Sequence, residues 1–474
     1  MDTLHTLLHR ARRTYLDFLR WLVLGSAVGV VVAFAGAGFH HLTEYARAIR
    51  LANGWLLFLL PLAGLLIVAL YQFAGMYGDR GTNAVLLAVR ENEAIPLRIF
   101  PLISVSTALT HLTGGSSGRE GAALQLGSSI ASFLGRKLRL PDKEARVLAM
   151  CGMAAGFSAV FGTPLASAVF ALEVVSVGAM HYAALAPCMA AALVAQQVAS
   201  WLGCGPVGFG LVQAPETGWA ALAAGVVLGV LCGLLGWFEA VVFRTVHHLY
   251  EKKLPNPYLR VAAGAVLVIG MTLLLGTRDY NGAGMDGIIR AVAGQALPWA
   301  FACKLLMTAL TLGAGFKGGE IVPTFFIGAT FGCTVGAWLG LPAGFAAALG
   351  MVGLFCAVTN APLASILLAY ELFGGAGLPL FALVCAVTYR LSGYGGLYGA
   401  QQIIYSKETV LTREDEEAEE AAEYEARVEK RAEQVKESLR AKGLAVPDPE
   451  DGMAERQLDG EGEEAPGRGP ALRR

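Results

Sequence analysis

Glu120 stands in Gly114-Gly115-Ser116-Ser117-Gly118-Arg119-Glu120-Gly121, a glycine-dense run followed at once by the apolar stretch Ala122–Leu134. Such a turn opening an apolar helix leaves backbone N–H groups unpaired at the positive end of the helix dipole, which together make an anion site. Glycine lets the backbone close on a small ion. A carboxylate at that point occupies the ion position when charged and vacates it when protonated, so Glu120 offers a direct physical route for coupling anion and proton movement. The purely structural alternative is a glutamate that caps its own helix.

A second run, Gly315-Phe316-Lys317-Gly318-Gly319-Glu320-Ile321-Val322-Pro323, puts proline where a helix start tolerates it and aims a second positive helix end at the same point. Phe325 and Phe326 follow. Ring edges carry partial positive charge and can meet a small anion edge-on, although a Phe pair is also ordinary core material. Gly81-Thr82-Asn83 is a short polar break that can supply donors; alone it is a turn signal. Tyr394, Tyr398 and Tyr405 lie near the last apolar stretch, where interface aromatics are common, and spacing does not choose among them. The chain carries no GxxxxGK[ST], no HExxH and no cysteines at metal spacing, so no cofactor, metal or nucleic-acid partner is expected. An enzymatic pair with Glu120 would need His111, which is nine residues away and not at adjacent-turn spacing.

The elements that position these groups belong in a membrane. Of 474 residues, 55% are hydrophobic and 15% charged, which argues against a purely soluble enzyme. The charge is uneven: residues 406–474 hold 20 acidic and 12 basic side chains, leaving 17 and 24 on residues 1–405. Thirteen apolar runs recur between about residues 19 and 394, and several reach only 14 to 17 residues. A perpendicular span needs roughly 20, so some helices must tilt or stop inside the protein beside an internal site. Arg10, Arg12, Arg13 and Arg20 lead straight into the first run without a small-residue cleavage site, so that segment is expected to be retained. The basic N-terminus and the loops holding Arg136–Arg139, Lys143–Arg146, Lys252, Lys253 and Arg260 are expected to face the cytoplasm. The eight cysteines lie in apolar stretches and read as packing residues. The tail is expected to form one polar helix over 412–442 and to be disordered after Pro447.

An internal repeat organises the body. FSAVFGTPLASAVFALE (157–173) and FCAVTNAPLASILLAYE (355–371) share Pro-Leu-Ala-Ser at an offset of 198, and both end on Glu. GREGAALQLGSSIASFLG (118–135) and GEIVPTFFIGATFGCTVG (319–336) align at an offset of 201, keeping Gly118/Gly319, Gly127/Gly328 and Gly135/Gly336. Two such halves describe a transporter repeat with broken helices meeting near the midplane.

These motifs resemble the CLC family of anion channels and anion/proton exchangers over roughly residues 15–405. GREGAALQLG resembles the family's gating-glutamate motif, with Ala122 in place of the usual proline; GGEIVP, the two Pro-Leu-Ala-Ser helices and Leu397-Tyr398 match other family positions. The resemblance implies an all-α polytopic membrane protein built from two inverted-topology repeats with broken and tilted helices, residues about 15–205 and 215–405 of a 1–405 membrane domain. It also implies a homodimer with one pathway per subunit and a cytoplasmic charged tail at 406–474. Glu120 would be the outer gate and Tyr398 the inner one, with Gly81, Thr82, Asn83, Gly118, Arg119, Gly121, Ile321, Val322, Phe325 and Phe326 around the anion. The chloride branches carry Gly-Ser-Gly-Ile-Pro where this chain has Gly81-Thr82-Asn83-Ala84-Val85, and chloride exchangers carry an internal glutamate where Val174 stands. Loss of both is similar to the bacterial fluoride/proton antiporter branch. The expectation is therefore a multi-pass transporter of the inner or plasma membrane, both termini cytoplasmic, exporting fluoride against protons and not an enzyme. A chloride channel or chloride/proton exchanger of the same fold is the alternative.

Overall fold

The structure is a computed structural model that describes residues 2–407, apart from Tyr77, Asp79, Arg80, Asn92, Ala94, Pro206, Val207, Gly210–Val212 and Ser406. The polar helix and disordered stretch expected in the tail lie outside the described residues.

Eight helices make the first half: α1 (Asp2–Ala52), α2 (Leu60–Phe73), α3 (Thr82–Glu91), α4 (Ile99–Thr113), α5 (Glu120–Lys137), α6 (Asp142–Phe161), α7 (Pro164–Glu173) and α8 (Leu185–Trp201). Eight counterparts follow: α9 (Trp219–Lys253), α10 (Pro257–Leu275), α11 (Met285–Val292), α12 (Ala300–Gly313), α13 (Ile321–Trp338), α14 (Ala343–Thr359), α15 (Pro362–Phe373) and α16 (Leu378–Leu391). Seven described helical segments are long and apolar enough to cross a membrane, and six apolar helices are shorter, at 10–17 residues. The apolar runs correspond to these helices. α3 and α11 have no such run; Gly81 is a turn residue with φ +60°, and Thr82 and Asn83 already belong to the first turn of α3.

Local chemistry sets the boundaries. Asp142 and Glu144 sit in the first turn of α6, where the dipole favours acid, and the Asn256 side chain accepts from the Tyr258 N–H to open α10, with Pro257 at its start. α5 packs on α6 where Gly127 faces Gly152 so closely that a Cβ on either would strike the other's carbonyl. The second half repeats the device, Gly328 of α13 on Gly350 of α14. Backbones touching through small residues are how helices associate where lipid supplies no hydrophobic drive.

The two halves run in opposite senses. Glu173, at the end of α7, accepts from the Leu363 and Ala364 N–H groups that open α15, at 3.1 and 2.9 Å. Glu371, near the end of α15, accepts from Leu165 and Ala166 at the start of α7, at 2.8 and 2.9 Å. Each helix ends beside the other's beginning, so the pair is antiparallel. The reciprocity is what a two-fold relation between the halves requires. Beyond α16, a short parallel pairing of Ser176–Val177 with Gln402–Ile403 ties the last described segment to the end of α7.

Candidate functional site

The turns before α5 and α13 meet in an antiparallel bridge, Gly118 N–H to Gly319 O at 2.6 Å and Gly319 N–H to Gly118 O at 2.8 Å. Two positive helix ends therefore converge at one buried point. A Cβ at Gly319 would stand 2.7 Å from the Gly121 nitrogen and 3.2 Å from that of Glu120, so this approach needs glycine.

Glu120 is the first residue of α5 and is 1% exposed. Its Oε2 accepts from the Arg119 N–H at 2.9 Å, whereas Oε1 has no hydrogen-bond partner and lies 3.7 Å from Arg119 Nε. The carboxylate thus caps its own helix. The N–H that holds the carboxylate lies at a helix start, the kind of place that also suits an anion. Arg119 also pairs with Glu44 at 2.8 Å, and nearby Arg47 pairs with both oxygens of Asp286 at 2.9 Å. A charged cluster therefore stands beside Glu120.

The loop carrying Glu120 is positioned by the opposite half. Asn281 donates to Gly114 O at 2.7 Å, Gly282 to Gly115 O at 3.0 Å, and Ser116 N–H to Thr311 Oγ1 at 3.1 Å. The Lys304 ammonium, fully buried, donates to Ser116 Oγ, Tyr280 O and Gly282 O. Sequence reading missed this network: Lys304 is a lone cation in an apolar run, and its partners are brought to it only by folding. His111, nine residues from Glu120 in sequence, places Nε2 3.3 Å from Gly118 O, on the turn that carries Glu120.

Thr82 is buried, with Oγ1 receiving the Gln125 amide at 3.4 Å and facing Gly121. A third helix start, that of α3, therefore borders the site, with Gly81 as its turn. The Asn83 Oδ1 accepts from the Ala400 N–H at 3.0 Å, tying α3 to the segment carrying Tyr398. Tyr398 is 2% exposed with an unpartnered hydroxyl, whereas Tyr394 and Tyr405 are exposed. Burial thus distinguishes among the three tyrosines where spacing did not.

The two phenylalanines part company. Phe325 joins a central cluster with Phe161 and Phe355, ring centroids 5.5 and 5.3 Å away. Phe326 packs against Gly284 and Gly287 of the α11 region and edge-on to Tyr280. Ile321 and Val322 are fully buried in the first turn of α13. Seven of the eight cysteines are buried and all are free thiols.

Residues 63–393 match the family model described as voltage gated chloride channel. The chain is 36% identical over 396 residues to a chloride/fluoride channel protein of Pseudomonas syringae pv. tomato, covering 82% of this chain and 87% of that one. It is 29% identical over 404 residues to the voltage-gated ClC-type chloride channel ClcB of Escherichia coli, covering 79% and 96%. Its fold resembles the crystal structure of a CLC-type fluoride/proton antiporter, with a TM-score of 0.79 and 35% identity over 82% of this chain and 99% of that chain. With the antiparallel halves and the paired helix starts, these matches make the conclusion plain: the chain belongs to the voltage-gated chloride channel (CLC) family of membrane anion transporters and channels.

Proposed function

We propose that this anion transporter is a fluoride/proton antiporter that exports fluoride, with Glu120 as both gate and proton carrier. The observation that carries the reading is the Glu120 carboxylate, buried and seated on the Arg119 N–H beside the N–H groups of two helix starts that meet there. When protonated it gives up those donors to the anion; when charged it takes them back. Fluoride is small and strongly hydrated, and dense N–H donors with the Thr82 hydroxyl offset its dehydration. Val174 at the end of α7 supplies no internal carboxylate. The relatives named for fluoride at 35–36% identity support the choice of ion. The protein acts as a homodimer in the inner or plasma membrane, with its basic end and both termini cytoplasmic.

The test is anion efflux from liposomes holding the purified protein, with and without a pH gradient, in fluoride and in chloride. A proton gradient driving fluoride uphill while chloride barely moves is expected. Chloride moving as fast as fluoride would mean that Thr82 serves as a chloride-ligand hydroxyl and would overturn the choice of fluoride.

A further inference from the structure

Glu239 lies near the middle of the 35-residue α9 and is fully buried. Its Oε1 accepts from the Thr324 hydroxyl at 2.6 Å, and its Oε2 has no partner. Thr324 belongs to the first turn of α13, the helix whose start meets that of α5 at the gate. An ionisable group at membrane depth marks an ion or proton pathway by default, and a half-partnered carboxyl is a poor structural link.

Its surroundings place it in a series. The Thr324 N–H donates to the Glu320 carbonyl at 3.0 Å, which puts Glu320 one turn away at the start of α13, and Gly319 just before it lies against the backbone of Glu120 and Gly121. α14 and α13 carry no charged residue, Lys304 of α12 is committed to Ser116 and backbone carbonyls, and Arg390 of α16 is exposed. Further along α9, Arg244 lies against Gly395, and the helix ends at Lys252 and Lys253, on the end proposed to be cytoplasmic.

We infer that Glu239, held by Thr324, is the inner proton-holding residue of the exchange cycle, taking the part that no carboxyl at Val174 can play. The proton comes from the basic end of the molecule, rests on the Glu239 carboxyl as its neutral acid, and passes by way of Glu320 toward Glu120. No bond other than O–H forms or breaks. The Thr324 hydroxyl, both donor and acceptor, can partner either form of the acid. This inference rests on the antiport reading above.

The experiment measures fluoride efflux and proton uptake separately, in proteoliposomes, for the wild type, E239Q, E239D and T324V. In E239Q, proton uptake per fluoride is expected to fall at least tenfold while fluoride still moves. E239D should recover part of the proton flux, and T324V should shift the pH profile of proton-coupled transport. Wild-type proton uptake in E239Q would overturn the inference and leave antiport standing; a wild type that moves no protons would overturn both. If E239Q fails to fold, T324V decides alone, and an unchanged pH profile with undiminished proton flux would overturn the inference.

Discussion

Glu120 seats one buried carboxylate on the Arg119 N–H, at the point where two helix starts meet, and the residues touching it determine how firmly it is held. Gly319 is the most sensitive, because a Cβ there meets backbone nitrogen rather than a movable side chain. Gly319→Ala should separate the helix starts and lower fluoride flux by about tenfold or more, with a stability loss of about 1–3 kcal/mol. Flux per folded protein and thermal unfolding measure the two, and undiminished flux would contradict the convergence argument. Beyond the last helix, Lys407 donates to Asn360 Oδ1 at 2.6 Å, to Ser392 Oγ at 3.1 Å and to Gly393 O. Burial lowers its ammonium from the ordinary 10.5 to about 8. The docked segment therefore binds a proton less tightly than the released one, so docking strengthens as pH rises from about 8 toward 10.5 and is level below 8. Hydrogen exchange over residues 400–405 should show greater protection near the upper value than at about pH 7 in excess of the intrinsic pH trend. Lys407→Met should abolish that excess.

At the scale of elements, the repeat was legible and its fastening was not. The offsets of 198 and 201 identified the paired helices, and the shared terminal Glu173 and Glu371 were visible in both copies. That each glutamate caps the other copy's helix depends on the antiparallel packing of α7 on α15, which no spacing within one copy encodes. Likewise α3 and α11 carry no long apolar run, since they are short and lodge against neighbours instead of crossing lipid. Glu173→Ala and Glu371→Ala should each cost about 1–2 kcal/mol, the scale of a lost helix cap. Glutamine, which keeps an acceptor oxygen, should cost less in both. Similar losses by denaturant unfolding in detergent would fit the two-fold relation, and a neutral effect at either site would contradict the capping role.

At the scale of the molecule, ionic contacts among the described residues gather at two ends. Arg20 pairs with Glu144 at 2.9 Å, Arg146 reaches the Arg90 carbonyl and Arg90 the Ala400 carbonyl, so the basic loops gather around the close of the membrane domain. Arg47 and Asp286 mark the other end, about 40 Å along α1 from Arg20. A membrane-impermeant thiol reagent should therefore reach K143C and K253C from one face and D286C from the opposite face; labelling of all three from one side would contradict this arrangement. Glycine density and a membrane-depth acid made the Glu120 turn legible in the sequence, while Glu239 and Lys304 stayed hidden because their partners, 85 positions away for Glu239 and 22, 24 and 188 for Lys304, are brought to them only by folding. The central proposal is that the Glu120 carboxylate both gates the anion and takes the proton across that same site. The most direct test is proton uptake measured together with fluoride efflux for the wild type and Glu120→Gln: the wild type should move both in fixed proportion and the variant should lose proton-coupled transport, whereas proton-coupled flux persisting in Glu120→Gln would contradict the account.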